Sequence, residues 1–422
     1  METKYLQRLA DKRMDTALQS SGAVLVVGPK WCGKTETAKQ FAKSILYMQH
    51  PNYAENYIKM ASLKPSELLE GHTPRLIDEW QDAPVLWNAV RFTVDERKKK
   101  GQFILTGSVV PATTKNMHSG AGRISRMEMR TMSLFESNES TGDISLADLF
   151  NGNEGMVGTS RLSIDDIAFV MLRGGWPEAV KEKRKNIAIK TISDYVDVLI
   201  NDDMSRIDGK KRNATRVRNL LRSIARHISA PANNSTIMAD LSANDNTISD
   251  KTIADYMDAL KKLYVVDELP VWSVSMRSKT ALRTTPKRNF TDPSIAGVLL
   301  GANKNKLFND FNTFGLLFES MVIRDLKVYA DSLNGNVFYY RDKVDNEVDA
   351  IIELSDGRWG ALEVKMGGTE EEAAARSLLK FKKNVNIEKM GEPSFLAIIT
   401  ATQIAHKRED GVWVIPLGCL KN

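Results

Sequence analysis

Ala23-Val24-Leu25-Val26-Val27 is a short β-branched run of the kind that forms a strand buried on both faces. It leads without a spacer into Gly28-Pro29-Lys30-Trp31-Cys32-Gly33-Lys34-Thr35, after which Glu36 to Leu46 has helical spacing. Strand, glycine loop and helix in that order restrict the first third of the chain to an α/β fold with a parallel sheet. The loop fits G-x-x-x-x-G-K-[ST], and each element has a physical reason. Glycines let successive N–H groups curl around phosphate oxygens, and the following helix N-terminus adds the positive end of its dipole. Lys34 would reach the β and γ phosphates and the Thr35 hydroxyl would ligate Mg²⁺, so Gly28 to Glu36 is the expected nucleotide-contacting run.

Phosphate chemistry needs acids as well. Pro74-Arg75-Leu76-Ile77-Asp78-Glu79 supplies them at a strand end, where Asp78 would hold Mg²⁺ through water and Glu79 would polarise the attacking water. A further strand pattern, Gln102 to Leu105, ends in Thr106-Gly107-Ser108, whose hydroxyls Thr106 and Ser108 would sense the γ-phosphate. Beyond it, Arg123 and Arg126 are candidates for a finger that neutralises transition-state charge, in the same or an adjacent subunit, or for surface ion pairs.

A length of 422 residues calls for several hydrophobic cores, and the expected segments are 1–155, 156–210, 211–300 and 301–422. A composition of 42% hydrophobic and 27% charged residues excludes disordered and collagenous classes. No apolar run approaches the roughly 18 residues that span a bilayer, and charges run through Met1 to Ala10, so a cytoplasmic address is expected. Only Cys32 and Cys419 are present, too few for a disulfide framework or a structural zinc site, and the five scattered histidines include no ligand pair.

The net charge of +6 is unevenly spread. Met204 to Pro231 carries +7 and Val271 to Phe290 carries +5 with no acid, which leaves the remainder of the chain at −6. Ser163 to Ile207 has helical spacing, broken by Gly174-Gly175-Trp176-Pro177. Three helical patterns follow, Thr215 to Ser229, Thr236 to Ser242 and Ser249 to Leu263, and then an alternating stretch from Val265, an order that suggests a winged helix. Arg218, Arg222 and Arg226 form one stripe on the first of these helices, suited to a phosphate backbone. The third helix carries Asp250, Asp255 and Asp258, which would repel phosphate, so nucleic-acid contact and a structural spacer both stay open. Val271 to Phe290 reads either as a phosphate-contacting loop or as a solvated linker.

In the last third, a helix from Thr313 to Ser332 contains Glu319 and precedes strand patterns at Val337–Arg341, Glu347–Leu354 and Arg358–Lys365. A charged helix, Thr369 to Lys383, and a strand, Phe395 to Thr400, complete the core order of the PD-(D/E)xK nuclease fold. Asp349 falls in the second strand and Glu363 and Lys365, two apart, share a face of the third. Glu319, Asp349 and Glu363 would hold one or two Mg²⁺ ions and Lys365 would orient the attacking water, with Glu347 on the Asp349 face behind them. A three-residue turn, Ser355-Asp356-Gly357, would set Asp349 opposite Glu363, whereas a two-residue turn would put the acids on opposite faces. The same fold also serves as a binding scaffold, and paired carboxylates and lysines on a sheet fit that use equally.

Asp78-Glu79, Thr106-Gly107-Ser108, Gly122-Arg123 and Gly174-Gly175-Trp176-Pro177 together resemble prokaryotic AAA-type P-loop ATPases with a C-terminal domain of unknown function. The resemblance implies an ATPase core, a winged-helix segment and a restriction-endonuclease-like domain, with ATP and Mg²⁺ as cofactors. The expectation is an Mg²⁺-dependent ATPase coupled to a nuclease-like domain acting on nucleic acid through the basic middle region. Its rival is a nucleotide-switched module that binds DNA or a protein partner without cutting it; a homo-oligomer is compatible with either. If the Cys32 thiol is accessible, alkylation should block nucleotide binding and ATP should protect.

Overall fold

In the computed structural model, Ala23–Val27 is strand β1 of a five-stranded sheet with β2 (Ser44–Tyr47), β3 (Arg75–Asp78), β4 (Phe103–Thr106) and β5 (Ile124–Glu128). The structure describes residues 5–107, 119–242, 248–273, 284–342, 346–385 and 387–422, so Ser108 lies outside the described residues. The strand order is β2-β3-β4-β1-β5, and every neighbouring pair is parallel. Alternation along the strands supplies two cores. Val24, Val26, Leu76, Ile104 and Met127 pack with Met14 and Leu18 of the helix Ala10–Ser20. Ala23, Ile77, Phe103 and Leu105 pack with Leu86 and Val90 of the helix Val85–Arg97. Parallel strands bring the C-terminal ends of β1, β3 and β4 to one edge, the edge where ligands bind in such sheets.

The helix after the glycine loop is shorter than its spacing predicts: it covers Lys34–Lys39, and Ser44–Tyr47 is an edge strand instead. Pairing of Ser44 with Arg75 through Tyr47 with Asp78 decides the matter, because ladder hydrogen bonds outweigh a weak helical period.

The chain divides into two compact units. The first is Met1–Thr131 with Asp203–Lys211 and Ala259–Tyr264; the second is Met132–Asp202, Arg212–Asp258 and Val265–Asn422. Within the second unit, two short strands pair with the C-terminal region. Strand β6 (Ile144–Ser145) pairs with β16 (Leu420–Lys421), and β7 (Gly158–Thr159) pairs with β14 (Ile404–Lys407).

The second unit holds a hairpin of β8 (Val266–Leu269) and β9 (Lys287–Phe290) and a seven-stranded sheet. The sheet joins β10 (Gly335–Arg341), β11 (Glu347–Leu354), β12 (Trp359–Lys365), β13 (Phe395–Thr400), β15 (Trp413–Pro416), β14 and β7 in that order. The helix Phe311–Ser332 packs on β10 to β12, and Ala374, Leu378 and Phe381 of the helix Glu371–Asn384 pack with Trp359, Ala361, Ile398 and Val414. Helices Ala214–Arg226, Asn234–Ser242 and Asp250–Lys262 precede the β8–β9 hairpin, close to their expected limits.

The corner at Gly174-Gly175 is tied to a buried charge network. The Gly175 N–H donates to Asp292 Oδ2 (2.9 Å), and the Arg324 guanidinium reaches Asp292 Oδ2 (3.1 Å) and Asp325 Oδ1 (2.6 Å). Asp325 Oδ2 accepts from the Leu134 N–H at 2.9 Å. Burial pushes the Asp325 carboxyl up to about 6 against the opposing pull of Arg324. Gly175 cannot carry a side chain, since a Cβ would sit 2.0 Å from the Met132 carbonyl oxygen.

Arg324→Met would leave two buried aspartates without their cation, a loss of roughly 3–5 kcal/mol for a broken buried pair. The expected outcome is a lower urea midpoint for the transition that reports the second unit; an unchanged midpoint would show that this network is not what holds the corner.

Candidate functional site

Three residues at positive φ, Gly28 (+143°), Trp31 (+65°) and Gly33 (+100°), coil the loop after β1. Glycine is required at 28 because a Cβ there would lie 2.1 Å from the Met129 carbonyl oxygen. Behind the loop, the buried Arg8 guanidinium donates to the Cys32 carbonyl (2.7 Å) and the Arg130 carbonyl (2.8 Å). Sequence reading missed this brace, since a lone N-terminal arginine carries no motif. The Lys34 ammonium is buried at the loop and donates to the carbonyls of Gly28 (3.0 Å) and Pro29 (2.8 Å).

One carboxylate oxygen joins three elements at the sheet edge. Asp78 Oδ1 accepts from Thr35 Oγ1 at 2.7 Å and from Thr106 Oγ1 at 2.6 Å. The register explains the second contact, because Thr106 is the direct partner of Asp78 on the neighbouring strand. Each such charge-assisted bond is worth about 1.5–3 kcal/mol. A hydroxyl and a carboxylate side by side are the oxygen donors that Mg²⁺ takes, together with waters and substrate phosphates, so these residues fit that ion. Glu79 follows at φ +55°, held by a hydrogen bond from Gln81 Nε2. Gly107 leaves room for that pair: a Cβ at 107 would lie 2.4 Å from Gln81 Oε1.

Other expected residues turn elsewhere. Lys30 pairs with Asp203 (2.5 Å), the exposed Glu36 pairs with Lys39 (2.7 Å), and Trp31 is 55% exposed. Arg123 immediately precedes β5, whose first residue lies beside Ala23, and pairs with Asp95 at 2.8 Å. Since β5 runs parallel to β1, Arg123 is at the end of the sheet away from the phosphate loop, which removes it as a finger within its own subunit. Arg126 lies mid-strand beside Leu25 and bonds the Tyr264 hydroxyl at 2.7 Å. Cys32 is fully buried against the Met129 carbonyl, so the condition for alkylating it in the native protein is not met.

In the second unit, β11 and β12 pair through Ala350–Leu362 and Glu353–Trp359, the register that sets Asp349 opposite Glu363. The turn is the three-residue one, with Gly357 at φ +88° and the Leu354 N–H donating to the Arg358 carbonyl. Lys365 Nζ lies 2.9 Å from Glu363 Oε2 and 3.5 Å from Asp349 Oδ2. Glu319 and Glu347 join the group through a residue not expected there, Lys287. Its ammonium lies 2.6 Å from Glu347, 2.9 Å from Glu319 and 3.7 Å from Asp349. Val271 to Phe290 is therefore not simply a loop or solvated linker, because its described end is the buried strand β9. Burial, with the Asp349 charge nearby, pushes Glu319 and Glu363 each up to about 8. At Asp349 burial acts in the same upward direction, but the ammoniums of Lys287 and Lys365 outweigh it and hold the carboxyl below its ordinary range. Among the described residues no three histidine, cysteine or acidic side chains gather closely enough to hold a metal ion. Of the carboxylates expected to bind Mg²⁺, Glu319 and Asp349 lie against Lys287 and Glu363 lies against Lys365.

The basic stripe is partly neutralised. Arg218 pairs with Asp197 (2.9 Å) and Arg226 with Asp240 (3.1 Å), while the buried Arg212 holds Asp255 (2.9 Å). No helix among the described residues is long and apolar enough to cross a membrane.

The first unit has a phosphate-type loop and an acidic strand end at one edge of a parallel sheet, the arrangement of a P-loop domain. Residues 20–138 match the family model described as an AAA domain. Residues 164–306 and 314–420 match two families described as domains of unknown function, DUF8612 and DUF4143. Uncharacterized proteins of Mycobacterium bovis and Mycobacterium tuberculosis are each 25% identical over 367 residues, 86% of this chain and 74% of theirs. Among solved structures, the Walker-type ATPase PABY2304 of Pyrococcus abyssi is similar with a TM-score of 0.44 at 16% identity, covering 70% of this chain and 96% of that one. The Aeropyrum pernix ORC1 protein in complex with DNA has a TM-score of 0.28 at 12% identity, covering 71% and 93%.

Burial of Cys32 predicts that a thiol-alkylating reagent leaves the native protein unlabelled at this position, with or without ATP, and labels it on unfolding. Rapid native labelling suppressed by ATP would return the thiol to the open side of the loop.

Proposed function

We propose that this chain is an Mg²⁺-dependent ATPase. The observation that carries the reading is Asp78, whose single oxygen gathers the hydroxyls of Thr35 and Thr106 beside Lys34 and Glu79. Lys34 would exchange the two loop carbonyls for the β and γ phosphates, a switch of partners within reach of one flexible side chain. Thr35 and Asp78 would hold Mg²⁺, which neutralises charge developing on the phosphates. Glu79 would orient the attacking water, and its bond to Gln81 would have to loosen first. Thr106, hydrogen-bonded to Asp78, would report the state of the γ-phosphate to β4.

We read the second unit as a restriction-endonuclease-like scaffold preceded by a winged-helix-like segment, on the strand order and on Asp349 opposite Glu363. A nucleotide-switched binding module suits it better than a nuclease, because the Lys287 ammonium already lies among Glu319, Glu347 and Asp349. Nucleic-acid binding carried by phosphate contacts would weaken by orders of magnitude between roughly 50 and 200 mM salt, whereas a protein partner would be far less sensitive.

Steady-state ATP hydrolysis and binding of a fluorescent ATP analogue test the first reading. Lys34→Ala should abolish binding, and Asp78→Asn should remove the Mg²⁺ dependence together with most hydrolysis. Glu79→Gln should bind like the parent while hydrolysing about 100-fold more slowly. Parental hydrolysis by Glu79→Gln would show that another group prepares the water.

A further inference from the structure

Lys287 sits on β9, paired across the hairpin with Leu269, and its side chain is only 2% exposed. Three carboxylates converge on its one nitrogen: Glu319 from the helix Phe311–Ser332, and Glu347 and Asp349 from β11. The residue is built in place. Its ammonium lies 5.5 Å from the centre of the Tyr339 ring, and the Tyr339 hydroxyl donates to the Thr285 carbonyl at 2.5 Å, pinning the chain just before β9.

A divalent ion at this position would need the same oxygens at about 2.0–2.1 Å. Both Asp349 oxygens already face donors or a cation. Its Oδ1 faces Lys287, while Oδ2 accepts from the Val364 N–H at 2.8 Å and faces Lys365 at 3.5 Å. Glu363 is likewise engaged, with Oε2 on Lys365 and Oε1 3.4 Å from the Ser377 hydroxyl.

We propose that Lys287 is the resident cation of this cluster and takes the place of a divalent metal, so that the second unit works without one. This deepens the reading of that unit as a non-cleaving scaffold and is independent of the ATPase reading. A lysine fixed in the middle of the carboxylates supplies a permanent positive charge in every nucleotide state, whereas a metal site would fill and empty with the ion supply.

The test is Mn²⁺ titration of the full chain without nucleotide, followed by electron paramagnetic resonance of free Mn²⁺. Asp78→Asn is the background in every sample, to weaken the first unit's own site. In that background alone, no Mn²⁺ binding that depends on Asp349 is expected. Adding Lys287→Met should create a site for about one Mn²⁺ per chain, lost again with Asp349→Asn. If Lys287→Met is too unstable to titrate, its melting temperature should rise with Mn²⁺ while that of the background does not. Mn²⁺ bound by the background and released by Asp349→Asn would overturn the proposal, and so would a Lys287→Met protein that Mn²⁺ neither binds nor stabilises. Cleavage of DNA by the background in the presence of a chelator would instead sink the non-cleaving scaffold and leave the role of Lys287 standing.

Discussion

Arg324 lies between Asp292 and Asp325 with all three side chains cut off from water, and the second unit is organised around that contact. Removing three charges from solvent is costly, and the arrangement is tolerated only because further donors satisfy the aspartates. Those donors are backbone groups from distant parts of the chain: Gly175 on one aspartate and Leu134 on the other, with the Ser294 N–H also on Asp292. One arginine thereby fixes the start of the unit, the glycine corner and the long helix at once. The absence of a Cβ at 175 lets the Met132 backbone come close enough to complete the arrangement.

In the first unit the governing constraint is the parallel sheet. Placing β4 between β1 and β3 puts Thr106 beside Asp78, and the loop leaving β1 brings Thr35 to the same oxygen. Three segments far apart in sequence meet because parallel strands end on one side. That geometry also explains why Arg123 cannot serve the same loop: β5 is parallel too, so the residue before it belongs to the other end.

Much of this was legible in the sequence, and the limits are physical. The glycine loop, Asp78, Thr106 and the strands Glu347–Leu354 and Phe395–Thr400 follow from local pattern, and of the two turns weighed at Gly357 the three-residue one, which sets Asp349 against Glu363, is the one present. Arg8 and Lys287 were not legible, because each acts across a long stretch of chain on groups that only the fold assembles. A basic strand, Lys287-Arg288-Asn289-Phe290, buried throughout, contradicts the ordinary preference of lysine and arginine for the surface, and for Lys287 the acids opposite it account for the position. The short β2 was missed for a related reason, since its neighbour β3 and not its own period makes it a strand.

The same point changes what the charge distribution means. A basic middle region in an otherwise acidic chain invites a nucleic-acid reading, yet several of its cations face acids within the second unit. Arg212, Arg218 and Arg226 hold Asp255, Asp197 and Asp240, and Lys287 holds Glu319, Glu347 and Asp349. Charges paired in this way contribute little to the field that would attract a phosphate backbone, and a buried ammonium contributes least. Part of the positive charge in this stretch of the sequence is therefore used in folding acids into the second unit, and a partner recognised by charge would have to be met by the cations that remain on the surface.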